Sequence, residues 1–248
     1  MSLSDNQAGK AWETPVQMTT EERRIRLKKW LEMVYENATE AVVNQHIFWE
    51  VQEIIRNNPL LQNTSSAFYD WMASTFVHST VLAIRRQLDI DKNSISLHRF
   101  LMELQRFPEL ISRSYHRSLY VRHEYSANFA DDSANYTYDR HVGKNAQVLD
   151  VSVVQQEIDS LKTASEKIHH YANRIVAHYD ARGLKGVSPK FDDLTECVAV
   201  IEKLVLRYVL LLNGASQDSL LPTFQYDWKR VFRIRWMPKN EPPPSGTG

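Results

Sequence analysis

One short stretch, "HHYANRIVAHYDARG" from His169 to Gly183, concentrates the side chains best suited to chemistry. It holds three of the chain's nine histidines, with two arginines and an aspartate. On a helix with Ile168 at the centre of its buried face, Tyr171, Arg174 and His178 fall on one flank, with Lys167 beside them. Arg174 and His178 are four apart, so their side chains are surface neighbours. A histidine next to a fixed cation can donate or accept a proton while the arginine holds a phosphate. Metal-independent RNA cleavage needs that combination. One group helps the 2′-hydroxyl attack, another protonates the leaving oxygen, and a cation stabilises the phosphorane. The same pair near a helix C-terminus also caps carbonyls and complements the helix dipole, so the pattern has a structural alternative.

Other constellations compete with it. Arg117 and His123 form an R-x(5)-H spacing at the end of another helical stretch, a match that common residue types produce by chance. Glu166 and His169 form one E-x-x-H. Di-metal carboxylate bundles need two such motifs and two further inward carboxylates, and no second E-x-x-H occurs. No metal is therefore expected. The C-terminal "WKRVFRIRW" sets Lys229, Arg230, Arg233 and Arg235 beside Trp228, Phe232 and Trp236. Arginines with stacking rings can hold single-stranded RNA. Alternatively the rings clamp an arm onto the body while the arginines face water. "RRIRLKK", Arg23 to Lys29, reads as a solvated helix face. No Walker-type loop, GxGxxG, G-x-S-x-G or H-E-x-x-H is present, so no cofactor is expected.

The elements that must position these residues read as helices. "TTEERRIRLKKWLEMVYENATEAVVNQ" opens with helix-starting chemistry, and "HIFWEVQEIIRN" continues or restarts it. "SSAFYDWMASTFVHSTVLAIRRQLD" is apolar on most faces, the mark of a central helix. "SISLHRFLMELQRF" stops before Pro108, and "PELISRSYHRSLYVRHEY" carries proline in its first turn. Ser126 to Val148 is polar and aperiodic and reads as a long loop. The next helix has a seam of Val154, Ile158, Leu161, Ile168, Ala172, Ile175 and Tyr179. "FDDLTECVAVIEKLVLRYVLLLNG" is the last long helix, with Gly214 at its stop. Phe232, Ile234 and Trp236 alternate with Arg233 and Arg235, which suits a strand or a short irregular arm.

Composition sets the outer limits. Lys+Arg and Asp+Glu are both 30 in 248 residues, so nucleic-acid contact must come from a local patch. One cysteine, Cys197, rules out an intramolecular disulfide and a cysteine zinc site. The N-terminus has no apolar run of the signal-peptide kind, and charges interrupt the most apolar stretch, Cys197 to Leu212. The expectation is a cytoplasmic protein without a membrane span. Residues 1–18 and 238–248 read as disordered, flanking one helical domain over 19–237.

"YANRIVAHYD", Tyr171 to Asp180, resembles the "RNxxIAHxD" signature of the HEPN superfamily, in the branch related to the U-type abortive-infection protein. "VLAIRRQLDIDKNSISLHRFLMEL", Val81 to Leu104, and "YDWKRVF", Tyr226 to Phe232, resemble further segments of that branch. The resemblance implies an all-α, single-domain HEPN-like bundle of five to six helices with a short C-terminal arm. It implies RNA or nucleotide binding in a prokaryotic defence or toxin–antitoxin setting, and a homodimer whose two motifs share a cleft. An antitoxin or nucleotidyltransferase-type partner fits the same setting. At most the activity is a metal-independent endoribonuclease. His178 would be the acid/base and Arg174 the phosphate cation. Asn173, Tyr171 and Asp180 would position, and Lys167 and His170 would help bind. One departure stands out. Ala172 occupies the place of the family's arginine, and Arg174 lies one position too close to His178. Retained fold with lost RNase activity is the expectation. The alternative is a non-catalytic helical module that docks a protein partner.

Overall fold

A capping box starts the longest element. The Thr19 hydroxyl accepts from the Glu22 amide, and the Glu22 carboxylate accepts from the Thr19 amide. From there α1 (Thr20–Arg56) runs unbroken, roughly 55 Å at 1.5 Å per residue. The segment at His46 therefore continues the helix rather than restarting it. The computed structural model describes residues 18–62, 64–121, 127–172 and 189–236, with only the backbone at 127 and 129. The terminal segments expected to be disordered fall, but for Met18, outside the described residues.

After a single turn, α2 (Pro59–Gln62), comes α3 (Ala67–Leu88), capped by Ser66. Its buried Gln87 ties three helices together. The amide nitrogen donates to Asn37 at 2.9 Å and the carbonyl accepts from the Leu97 amide at 3.1 Å. That Leu97 opens α4 (Leu97–Arg106), which buries Leu97, Phe100, Leu101 and Leu104. The helix expected from Pro108 onward is split. A 3-10 turn at Pro108–Ile111 ends at Ser112, whose extended backbone bridges Val148 and caps α5 (Arg113–Ser118).

The loop expected over 126–148 is instead mostly a helix, α6 (Ala127–His141). Its buried side is one narrow stripe, Ala130, Ala134 and Tyr138, spaced by four. Two alanines carry too little apolar signal to mark a face. The polar residues around them have fixed work. Tyr138 donates to the Ile111 carbonyl at 2.9 Å, and Arg113 pairs with Asp139 and Asn135.

Then α7 (Val151–Tyr171), capped by Asp150, and α8 (Phe191–Asn213) complete the set. Gly214 ends α8 in the left-handed region at φ 67°, its N–H returning to the Leu210 carbonyl. In packing, α1 lies against α3 and α8, and α7 lies against α8, α4 and α3. The result is an all-α bundle with six helices of ten residues or more among the described residues. No helix among them is long and apolar enough to cross a membrane.

Candidate functional site

The buried stripe of α7 is Val154, Ile158, Leu161, Ser165, Ile168 and Ala172, in steps of three and four. This is the expected seam as far as Ala172, with its gap filled, while Ile175 and Tyr179 lie outside the described residues. Ser165 turns its hydroxyl back to the Leu161 carbonyl at 2.7 Å, so a polar residue sits in the core with its hydrogen bond made. Ala172 is fully buried, its amide bonded back to Ile168 and His169. The stripe thus places Ala172 in the core rather than on a solvent flank.

The expected constellation divides along α7. Lys167 and Tyr171 lie toward α8. The Lys167 ammonium donates to Asp193 at 2.6 Å, and Tyr171 is half-buried against the core. Asp193 also accepts from the Lys190 amide at 2.8 Å, closing the first turn of α8. The Lys167 hydrogen bond, and then the backbone one, holds its carboxyl below the usual range. Phe191, the first residue of the same turn, stacks on Phe48 at 5.5 Å and meets Trp49 edge-on at 5.9 Å. The end of α7 and the start of α8 are thereby anchored to α1.

His170 belongs to the opposite flank. With Lys162, Glu166 and His169 it lines a pocket of about 420 Å³, closed by Leu88 and Ile90 at the end of α3 and by His98 on α4. Burial pushes the His98 imidazole below its ordinary pKa, so the ring is neutral at pH 7. Its Nδ1 lies 3.5 Å from the Leu88 carbonyl. With the proton on Nδ1, Nε2 is left as an acceptor. An apolar wall, neutral imidazole, one ammonium and one carboxylate suit a planar, partly polar group such as a nucleobase. Sequence reasoning missed His98 and Lys162. His98 lies some seventy positions before His169 and His170 in an amphipathic helix, and only packing of α4 on α7 brings it there.

Asn173, Arg174, His178 and Asp180, the remaining members of the expected site, lie outside the described residues, as does His123 of the competing pair. The other described chemistry is structural. Arg117 pairs with Asp131 rather than facing a site. Burial pushes the Cys197 thiol up to about 12, far from a nucleophile's range. Among the described residues no group of three or more histidine, cysteine or acidic side chains is arranged to hold a metal.

The C-terminal arm is a 3-10 turn, Trp228–Arg233, not a strand. Trp228 alone of its three rings packs inward, 6.2 Å from His46, while Phe232 and Trp236 remain exposed. The clamp of three rings is therefore corrected to a clamp of one. A strand needs a partner edge, and none exists among the described residues beyond the lone Ser112–Val148 bridge.

A family model described as AbiU2, of the HEPN group, matches residues 27–231. No curated protein and no solved structure gives a significant match.

Proposed function

This chain belongs to the AbiU2 family of HEPN proteins, and on that footing we propose that it is an abortive-infection-type protein that binds RNA without turning it over efficiently. The observation that carries the reading is Ala172. The resemblance of "YANRIVAHYD" to the family signature aligns this residue with the signature's arginine, and its side chain is a methyl group inside the core, so on that alignment the cation that would stabilise a phosphorane has no seat there. The pocket beside the end of α7 supports retained recognition. It offers an apolar wall, Lys162 and the His98 ring, on the flank of α7 opposite Lys167 and Tyr171. His178, Arg174 and Asn173 would then contact RNA rather than cleave it, with a second copy of the chain supplying the other half of the cleft.

Labelled single-stranded RNA, titrated with wild type and with His178→Ala and Lys162→Ala, tests both halves. Binding that weakens in both variants, with equal background cleavage by wild type and His178→Ala, is expected. Multiple-turnover cleavage that His178→Ala abolishes would overturn the loss of activity. Absence of RNA binding by wild type would overturn the RNA reading.

One observation favours a protein-docking role instead. Phe68 and Trp71 are 46% and 61% exposed at the start of α3, their rings 5.6 Å apart, and Leu60 in the preceding α2 is 84% exposed. Such a patch suits a helical partner or a second copy. A complex lost on Trp71→Ala, together with absent RNA binding, would select that reading.

A further inference from the structure

Beyond α8 the chain crosses α1 and is fixed there, first where Gln217 accepts from the Tyr35 hydroxyl and Phe224 stacks on His46, then at the arm. Trp228 meets His46, and Lys229 pairs with Glu50. Past these anchors the side chains leave the bundle. Phe232, Ile234 and Trp236 are 40%, 58% and 64% exposed. Trp236 is held nonetheless. Its indole N–H donates to the Val231 carbonyl at 2.9 Å, the same oxygen that receives the Ile234 amide. The ring therefore caps the turn and presents a face to solvent in a set orientation. Arg230 and Arg233, three apart, eclipse on one ridge of the 3-10 turn. Arg233 pairs with Asp227 yet stays 72% exposed, and Arg230 and Arg235 have no carboxylate partner among the described residues.

We propose that residues 226–236 form a stacking platform for single-stranded RNA, with bases on Trp236 and Phe232 and phosphates on Arg230, Arg233 and Arg235. The inference rests on the RNA reading above and adds a second contact surface to it. Charge complementarity selects the occupant. Protein interface cores are depleted of charge, whereas here a guanidinium separates each exposed apolar side chain from the next between Phe232 and Trp236. Rings interleaved with cations match a strand that alternates bases and phosphates. A pinned indole also loses little freedom when a base stacks on it.

The position supports the same occupant. Trp228 touches His46, Trp49 one turn along α1 touches Phe191, and Phe191 opens the turn in which Asp193 holds Lys167. The arm and the end of α7 are thus linked through the same stretch of α1 and the start of α8. The neighbouring acids do not oppose it, because Asp227 is paired with Arg233, Glu50 with Lys229 and Glu53 with Arg56.

Fluorescence anisotropy of the full chain with labelled 12-nucleotide oligouridylate and oligoadenylate is the test. Trp236→Ala should weaken binding about 10-fold, the loss of one stacked base. Trp236→Phe should keep most of the affinity. The pair Arg230→Gln with Arg235→Gln should flatten the salt dependence by roughly 1.4 in slope, about 0.7 per lost phosphate contact. These positions are exposed, so melting temperatures should hold, and if Trp236→Ala lowers its own, the arginine pair carries the test. Arm variants that bind as wild type, while Lys162→Ala binds more weakly, overturn this inference and leave the α7 reading intact. Failure of wild type to bind either RNA removes both. Arm variants that change oligomeric mass without changing RNA affinity make the surface a protein contact and refute the platform.

Discussion

Replacing Ala172 with arginine would match the family signature as the resemblance aligns it, and should damage the fold rather than restore an enzyme. Ala172 is fully buried at the end of the α7 stripe, so the substitution forces a long side chain into a packed core. Overpacking alone costs about 1–3 kcal/mol. A buried, unpaired guanidinium adds several kcal/mol, reduced where the long stem lets the head reach water. A combined cost of about 4 kcal/mol follows, which for a domain of this size lowers the melting temperature by roughly 8–16 °C. Ala172→Leu separates the two contributions, since it carries the volume without the charge and should cost only the overpacking share. Thermal unfolding followed by circular dichroism reads both variants, and an RNA cleavage assay runs beside it. An Ala172→Arg protein that melts within about 2 °C of wild type and gains cleavage dependent on His178 would refute the reasoning. The motif would then lack only its cation, with space for it open.

Two further perturbations act on the same framework. Asp193→Ala removes the carboxylate that receives both Lys167 and the Lys190 amide. It should lower the melting temperature through the lost cap, yet tighten RNA binding by freeing Lys167 and deleting a negative charge. Weaker RNA binding in a folded variant would contradict that role for Lys167. Acidification should destabilise the fold through histidine. Burial holds His116 below its ordinary pKa of 6.5, so the folded chain binds fewer protons than the unfolded one in the window between them. Stability is complete above that ordinary value and falls as pH drops through the window, and His98 and His141 are displaced the same way by burial. His116→Asn, which keeps a donor toward the Leu211 carbonyl, should shrink the loss in melting temperature between pH 7.5 and 5.5, and an unchanged loss would exclude His116.

Elements that bury large apolar side chains at regular spacing were legible from the sequence. The α7 stripe and the Gly214 stop of α8 stand where periodicity and glycine chemistry put them. What periodicity could not reveal was carried by small or polar groups. In α6, Ala130 and Ala134 form the buried face, and Arg113 holds the helix by bonds to Asn135, Asp139 and the Gly143 carbonyl. In the arm, alternating Phe232, Ile234 and Trp236 mimic a strand, but a hydrogen bond from Trp236 to Val231 folds the segment onto itself. In the candidate site, Lys167 and His170 lie three apart in sequence, yet α8 takes one and the α4 side takes the other. Which flank a residue joins depends on what packs beside it, and that information sits in other helices.

A net charge of zero argues against a global field for nucleic acid, but it does not decide how many cations are available. Pairing decides that. Arg113 is committed to Asp139, Arg117 to Asp131 and Arg207 to Glu157, and each of these joins α5, α6, α7 or α8 to a neighbour. Those cations hold helices and cannot also grip phosphate without loosening the fold. Lys162 in the pocket and Arg230 and Arg235 on the arm carry no such obligation among the described residues. Unpaired charge therefore appears beside the neutral His98 ring and beside the exposed Trp236 and Phe232 rings, where a base and its phosphate would both find a partner. A chain balanced overall can present local positive surface in this way, wherever a surface cation has no carboxylate partner among the described residues.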